Sequence, residues 1–287
     1  METAVTFECG NETLVGIVHQ PQDCLETGVL VIVGGPQYRV GSHRQFVLLA
    51  RHLARHRVAT FRFDHRGIGD SGGNIRRFDE LSHDIECAID KFMKECPAVK
   101  QVFVWGLCDA ASAALMYAAT DTRVYGLVLL NPWVRADSVS SGTYYGRYYY
   151  RRIKDWHAWK NLLRDPVRLL GSAVAAAGYM ANRARWFVLA GSRRNNDHAA
   201  DLTGAAFVES MLRSMEEFSG PVHIVLSGDD LTAAAFQRLI ESDDRWRKAV
   251  ERPNVSRFSM KSANHTFSRR TWRDEVSQKT AQWLIDA

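Results

Sequence analysis

Cys108, Asp230 and His265 are the residues of this chain whose types and placement could carry covalent chemistry. A thiol can attack an acyl carbon, an imidazole can take its proton, and a carboxylate can hold the imidazole in one tautomer and stabilise the imidazolium. Cys108 follows the apolar run Val102-Phe103-Val104-Trp105 within Gly106-Leu107-Cys108-Asp109-Ala110, and a small-residue helical pattern begins at once. That is the layout of a nucleophile elbow, a strand-to-helix turn that lifts one side chain above a sheet. Cys stands where Ser is usual, and Ala110 replaces the second Gly of Gly-x-Ser-x-Gly. The turn needs small residues two before and two after the nucleophile, because the helix packs close to the strand, and Gly106 and Ala110 both qualify. The elbow also places the Asp109 N–H, at a helix N-terminus, beside the sulfur, where it can stabilise a thiolate and an oxyanion. The bland alternative is a buried structural thiol at a strand end, over which the motif taken alone gives catalysis only a modest preference.

Two further segments shift that balance. Val222-His223-Ile224-Val225-Leu226 runs into Ser227-Gly228-Asp229-Asp230, and Asn254 to Met260 runs into Lys261-Ser262-Ala263-Asn264-His265. Nucleophile, acid and histidine therefore follow one another in the chain, each at the C-terminal end of an expected strand. Asp230 is the expected acid, with Asp229 left to cap the helix that follows. A lone His is more often a satisfied or surface residue, and the chain has ten; the order of the three segments singles out His265.

From residue 28 onward, strand and helix patterns alternate. Apolar runs at Val29–Val33, Val58–Phe63, 100–105 and Val124–Leu130 read as strands; 43–55, 78–95 and 109–120 read as helices, the second with Leu81, Ile85, Ile89 and Phe92 at helical spacing. Residues 3–8 and 13–19 read as an opening hairpin around Gly10-Asn11, and helices at 232–250 and 272–286 close the chain. Such alternation implies an α/β fold with a mostly parallel sheet and helices on both faces. Between Asn131 and about Ser219 the alternation fails over a length too great for a connection. The expected organisation is a core of residues 1–131 and 220–287, with an inserted helical lid at 132–219.

Charge is divided unevenly between the two. Arg135 to Arg194 holds twelve basic residues against three acids, a local +9, so the remainder, with 25 basic and 29 acidic residues, is at −4 in a chain of net +5. The same stretch carries Tyr144, Tyr145, Tyr148, Tyr149, Tyr150, Trp156 and Trp159. Mixed aromatic and basic residues suit an anionic, partly apolar substrate or peripheral contact with an anionic membrane, and Tyr38, Arg147 and Arg151 are the expected substrate contacts. No nucleic-acid partner is expected, since no binding module of that kind is present. No run of eighteen apolar residues exists, and the acidic, strand-like start does not resemble a signal peptide. Five cysteines without CxxC or ligand spacing argue against a disulfide framework and a zinc site, and for a reducing cytoplasm. No metal or cofactor is expected.

In chain order and strand-end placement these segments resemble the α/β-hydrolases over essentially the whole chain. In that superfamily the loop after the strand at Val29–Val33 often completes the oxyanion hole. Here the loop is Gly34-Gly35-Pro36-Gln37-Tyr38; Pro36 has no N–H, so Gln37 or Gly35 must donate, and Gln37 is preferred. By itself the segment also reads as a plain Gly-Pro turn. Asp64-His65-Arg66-Gly67-Ile68-Gly69-Asp70-Ser71 resembles the Asp-x-Arg-Gly-x-Gly-x-Ser loop of many members, with Asp64 and Arg66 bracing neighbouring loops. It is not a phosphate-binding loop, since no Gly-Lys-Ser/Thr follows. Taken with Gly34 to His43, Gly106 to Ala110, Ser227 to Ala233 and Asn264 to Phe267, it is similar to the exosortase A system-associated hydrolases of the first type. That resemblance implies a cytoplasmic accessory hydrolase of a bacterial system that sorts proteins bearing a C-terminal anchor and makes exopolysaccharide, with Cys108 as nucleophile, Asp230 as acid and His265 as base. Asn264 stands where an Asp is common.

The expected reaction is hydrolysis of an ester or thioester through a thioester acyl-enzyme on Cys108, its oxyanion held by the Asp109 and Gln37 N–H groups. A thioester is readily attacked by an amine, thiol or alcohol, so acyl transfer is the main rival. A non-catalytic binding protein is the third reading, and the three triad types in order weigh against it.

Overall fold

In the computed structural model, residues 1–35, 37–134 and 204–287 are described. The expected lid contacts Arg147 and Arg151, the aromatic–basic stretch that contains them, and Pro36 lie outside these residues.

Eight strands form one sheet: β1 (Glu2–Cys9), β2 (Glu12–His19), β3 (Thr27–Ile32), β4 (Ala59–Asp64), β5 (Gln101–Leu107), β6 (Val124–Leu130), β7 (Val222–Asp229) and β8 (Val255–Asn264). Their spatial order is β1-β2-β4-β3-β5-β6-β7-β8. β2 pairs antiparallel with both β1 and β4, and the other pairs are parallel. The described helices are α1 (Gln45–Arg55), α2 (Ser82–Glu95), α3 (Asp109–Ala118), α4 (Gly204–Glu217), α5 (Leu231–Ser242), α6 (Asp244–Val250) and α7 (Arg270–Asp286).

The strands read as continuous apolar runs because both faces of the sheet are covered, and the two-residue period sorts alternate side chains to opposite sides. Leu30, Ile32, Val102, Val104, Leu127 and Leu129 join one core cluster, which also takes Ile85, Ile89 and Phe92 of α2 and the alanines of α3. Val29, Val31, Phe103, Trp105, Val128 and Leu130 join the other, with Phe46, Leu49 and Leu53 of α1 and Val276 and Leu284 of α7. At about 1.5–3 kcal/mol for each large apolar side chain buried, the central strand β5, buried from Val102 to Leu107, is a firm base for the turn at its end.

Several boundaries differ from the sequence reading; the helix expected at 43–55 is a 3₁₀ turn at Ser42–Arg44 followed by α1. The run at 78–95 is two pieces, a 3₁₀ turn at Phe78–Glu80 and then α2. The helix expected over 232–250 breaks at Asp243, an extended residue whose carboxylate accepts the Arg245 and Trp246 N–H groups and so starts α6. The last part of the expected lid packs as core instead: α4 buries Phe207, Met211, Leu212 and Met215 in the same cluster as α3.

The Asp64 loop braces as expected. The buried Asp64 carboxylate pairs with the Arg39 guanidinium and accepts the Arg39 N–H at 2.6 Å and the Asp70 N–H at 3.1 Å. Gly69, at φ 59°, passes so close that a Cβ there would lie 2.1 Å from Asp64 Oδ2. Arg66 clasps Asp84 of α2 through Nε and Nη2.

Candidate active site

β5 ends at Leu107 and α3 begins at Asp109, so Cys108 makes the whole turn, at φ 64° and ψ −126°. A non-glycine residue held there costs on the order of 1–3 kcal/mol and persists only where its surroundings fix it. They do so here from both sides. The Cys108 N–H donates to the Leu130 carbonyl at 2.9 Å, and the Cys108 carbonyl accepts from Ala111, Ser112 and Trp133 at 3.0, 3.3 and 3.2 Å. The small residues are needed as expected: a Cβ on Gly106 would lie 2.5 Å from the Ala110 carbonyl oxygen.

Asp230 directly follows β7 and His265 directly follows β8, the neighbouring strand. His265 Nδ1 is 2.9 Å from Asp230 Oδ2, and the Cys108 thiol lies near enough to the same ring to act on its protonation. With Nδ1 turned to the carboxylate, Nε2 is the nitrogen left for the sulfur. The three groups named from the sequence thus meet. Asp230 is buried, while the His265 side chain keeps 34% of its surface exposed, so the acid is dry and the reacting end of the site is open. Burial alone would lower the His265 pKa. The hydrogen bond to Asp230, then that to Cys108, and the attraction of both groups outweigh it and lift the imidazole to about 10, which makes it an imidazolium at neutral pH.

The capping role expected of Asp229 belongs to Asp230. Asp230 Oδ1 accepts the Thr232 N–H at 3.2 Å and Oδ2 the Ala233 N–H at 3.0 Å, which caps α5. Asp229 is exposed at the end of β7, opposite Asn264. One carboxylate serves both purposes because the strand ends where the helix begins.

Asn131 was not singled out by its sequence, yet it holds the loop that carries His265. It is fully buried at the end of β6 with φ 45°; Nδ2 donates to Ser227 Oγ at 2.8 Å and to the His265 carbonyl at 3.1 Å, while Oδ1 accepts the Ser227 N–H at 2.8 Å. Asn264 closes the loop from the other side: Nδ2 donates to Ser268 Oγ at 2.8 Å and Oδ1 accepts the Ser268 N–H at 3.0 Å. A carboxylate at 264 could not donate to this hydroxyl and would have to accept from it instead.

Asp109 opens α3, where the leading N–H groups of a helix lack partners within it. Its carboxylate does something the sequence did not reveal. Oδ1 accepts the Ala110 N–H and Oδ2 the Gly35 N–H, each at 3.0 Å, so it ties the β3 loop to the elbow. Of the two loop donors considered, Gly35 is therefore engaged, which leaves Gln37, whose own Oε1 accepts the Ser42 N–H at 3.0 Å and steadies the loop. Tyr38, beside it, is 46% exposed.

The sequence model of the serine aminopeptidase family, S33, matches residues 27–183, more than half of the chain. The chain belongs to this hydrolase family. Among solved structures it is similar to an esterase of Pyrococcus furiosus, Pf2001, at 16% identity and TM-score 0.66, over 100% of this chain and 91% of that one. It is also similar to Est1E of Butyrivibrio proteoclasticus, solved with ferulic acid, at 15% identity and TM-score 0.61, over 99% and 98% of the two chains. At these identities the likeness is one of fold, and the fold is that of the α/β-hydrolases. A curated relative, the polyketide transferase grgF of a Penicillium species, is 32% identical over 90 residues, and the match spans 30% of this chain and 31% of the relative. No described helix is long and apolar enough to cross a membrane.

Proposed function

We propose that this member of the family is a cysteine-dependent hydrolase that cleaves an ester or thioester through an acyl-enzyme on Cys108, with His265 as acid and base, Asp230 as its orienting acid, and Asp109 and Gln37 as oxyanion donors. The carrying observation is the meeting of Cys108, at the turn of the elbow, with a His265 already bound to Asp230. The family is named for a serine; here the elbow residue is a thiol.

With the Cys108 thiol proton passed to His265, the thiolate attacks the carbonyl carbon beside the imidazolium. The backbone donors take the charge that develops on oxygen, and His265 gives its proton to the leaving group. Once the sulfur is a thioester, it carries no charge to hold the proton on the ring. The His265 pKa then falls, and the ring can accept a proton from the attacking water. One residue thus changes role because acylation removes part of what raised its pKa.

The basic and aromatic composition of residues 135–194 supports an anionic acyl substrate, and the motif resemblance supports a place in an exosortase and exopolysaccharide system, with the work done in the cytoplasm. The same reading takes the insertion between β6 and α4 as a lid, with Tyr38, Arg147 and Arg151 as substrate contacts and an anionic membrane as an occasional partner. Acyl transfer is the second reading, favoured by the match to a polyketide transferase and by the reactivity of a thioester towards amines, thiols and alcohols.

Intact-mass spectrometry of wild type and Cys108→Ala, after exposure to a panel of acyl thioesters and activated esters, tests this. A mass gain on wild type alone is expected, and its decay in water against added acceptors separates hydrolysis from transfer. Absence of any adduct, together with slow alkylation of Cys108 by iodoacetamide, would reject the catalytic reading.

A further inference from the structure

Cys9, His83 and Cys87 take no part in the chemistry above, and the fold brings them to one spot. Their two sulfurs and a ring nitrogen all lie within 4.8 Å of one another. His83 and Cys87 are four residues apart on α2 and share one face of it; Cys9 ends β1, against which α2 packs. Cys87 Sγ is 3.8 Å from His83 Nδ1 and 3.9 Å from Nε2. Cys9 is buried, and its thiol donates to the His83 carbonyl at 3.7 Å.

These distances are near those of a metal centre. Zinc–sulfur and zinc–nitrogen bonds of about 2.3 and 2.0–2.1 Å put tetrahedral ligand atoms roughly 3.5–3.8 Å apart. Closing the cluster to that size means a contraction of about 1 Å at most, and the exposed His83 together with the half-buried Cys87 can supply it. Glu86 Oε2 lies 3.4 Å from His83 Nδ1, the place of an outer carboxylate that orients a ligating imidazole and leaves Nε2 for the ion. Asp84, Glu86 and Asp90 lie close enough to act on the Cys87 thiol, and Asp84 and Arg66 on that of Cys9, so acids outnumber bases around the spot.

We propose that Cys9, His83 and Cys87 form a zinc site that staples α2 to the edge strand β1, with water as the fourth ligand. Two thiolates and a neutral imidazole match a thiophilic, tetrahedral divalent ion. Binding forms two zinc–sulfur bonds and one zinc–nitrogen bond, releases both thiol protons to solvent, and leaves the ion and its three side chains with no net charge. Burial pushes the Cys9 thiol up to about 12, so the ion must displace a tightly held proton and affinity climbs with pH. The lack of CxxC spacing had argued against zinc; the site uses a helical i,i+4 pair and a strand end instead.

The test is titration of the fully reduced, metal-free full chain with cobalt(II) and then zinc(II), in a Cys108→Ala background so that the active-site thiol is not counted. One equivalent of cobalt with a thiolate charge-transfer band, displaced by zinc, is expected. Cys87→Ser should abolish the band, and either Cys87→Ser or His83→Gln should weaken binding by more than the roughly 10–100-fold that loss of an outer-shell partner costs. Zinc should raise the melting temperature of the parent and not of Cys87→Ser. Binding unaffected by both variants, or no stoichiometric binding by the reduced chain, overturns the proposal. So does a Cys9–Cys87 disulfide that forms in air whether or not zinc is present. His83→Gln, at an exposed position, keeps the test usable should Cys87→Ser fold poorly.

Discussion

Asp230 Oδ2 is shared between His265 Nδ1, at 2.9 Å, and the Ala233 N–H at the head of α5, at 3.0 Å. The carboxylate bonded to the imidazole is therefore itself held by a helix end, and the two contacts can be separated by substitution.

Asp230→Asn keeps a good helix cap but can no longer accept the Nδ1 proton as a charged partner. Turnover should fall by roughly ten-thousand-fold, as expected when the tautomer is lost, and the melting temperature at neutral pH should drop with the lost pairing of carboxylate and imidazolium while the cap is kept. Asp230→Ala should lose the cap as well, at a cost of about 1 kcal/mol. Asp229→Asn, on an exposed residue, should stay within about two-fold of wild type. Steady-state rates beside thermal melts of the three variants check this, and greater damage from Asp229→Asn would move the acid to that position.

Titration of His265 follows from its raised pKa. By NMR the ring should titrate near pH 10 in wild type, and nearer the usual histidine range of about 6.5 in Asp230→Asn. Because the folded value lies above the unfolded one, the stabilisation is complete below about pH 6.5 and is lost as pH rises through about 10. The stability gap between wild type and Asp230→Asn should therefore narrow over that interval. A gap that widens with pH would contradict the assignment.

Asn131→Ala should leave the His265 carbonyl and the Ser227 N–H without their partner, at about 1–3 kcal/mol. It should also lower kcat by roughly 100-fold, since a displacement near 1 Å costs that much. Ser227→Ala provides the control. It removes the hydroxyl but keeps the bond from Asn131 to His265, so its kcat should stay near wild type while its stability drops. Equal loss of kcat in both variants would deny Asn131 a positioning role.

Gly106→Ala would set a methyl 2.5 Å from the Ala110 carbonyl oxygen. Overpacking of this kind costs about 1–3 kcal/mol, and α3 must shift to relieve it. Loss of acyl-adduct formation on Cys108 together with a lower melting temperature is expected, and an adduct yield equal to wild type would show that the elbow tolerates the side chain.

Much of this site was legible from local pattern. Cys108, Asp230 and His265 each follow an apolar β run and sit at or beside a small-residue turn, and the elbow's need for Gly106 and Ala110 is a matter of a few neighbouring residues. The hairpin around Gly10-Asn11 and the central strands were legible for the same reason, since the two-residue period and the length of the apolar runs are local properties.

What only the tertiary structure decided depends on which strands become neighbours. Asn131 reaches His265 across 134 positions, and the Asp109 carboxylate reaches Gly35 across 74, because β6 lies beside β7 and β3 beside β5. The α4 helix has an apolar stripe at Phe207, Met211 and Met215 that any buried surface could match; packing against the α3 side of the sheet, not the stripe itself, made it core. Cys9 and Cys87 look unrelated along the chain, and they meet only because α2 crosses over the edge strand. Sequence determined which groups stand at the ends of strands, since backbone propensity and turn chemistry act over a few residues; strand order and pairing register, set by burial of both sheet faces at once, decided which of those groups touch.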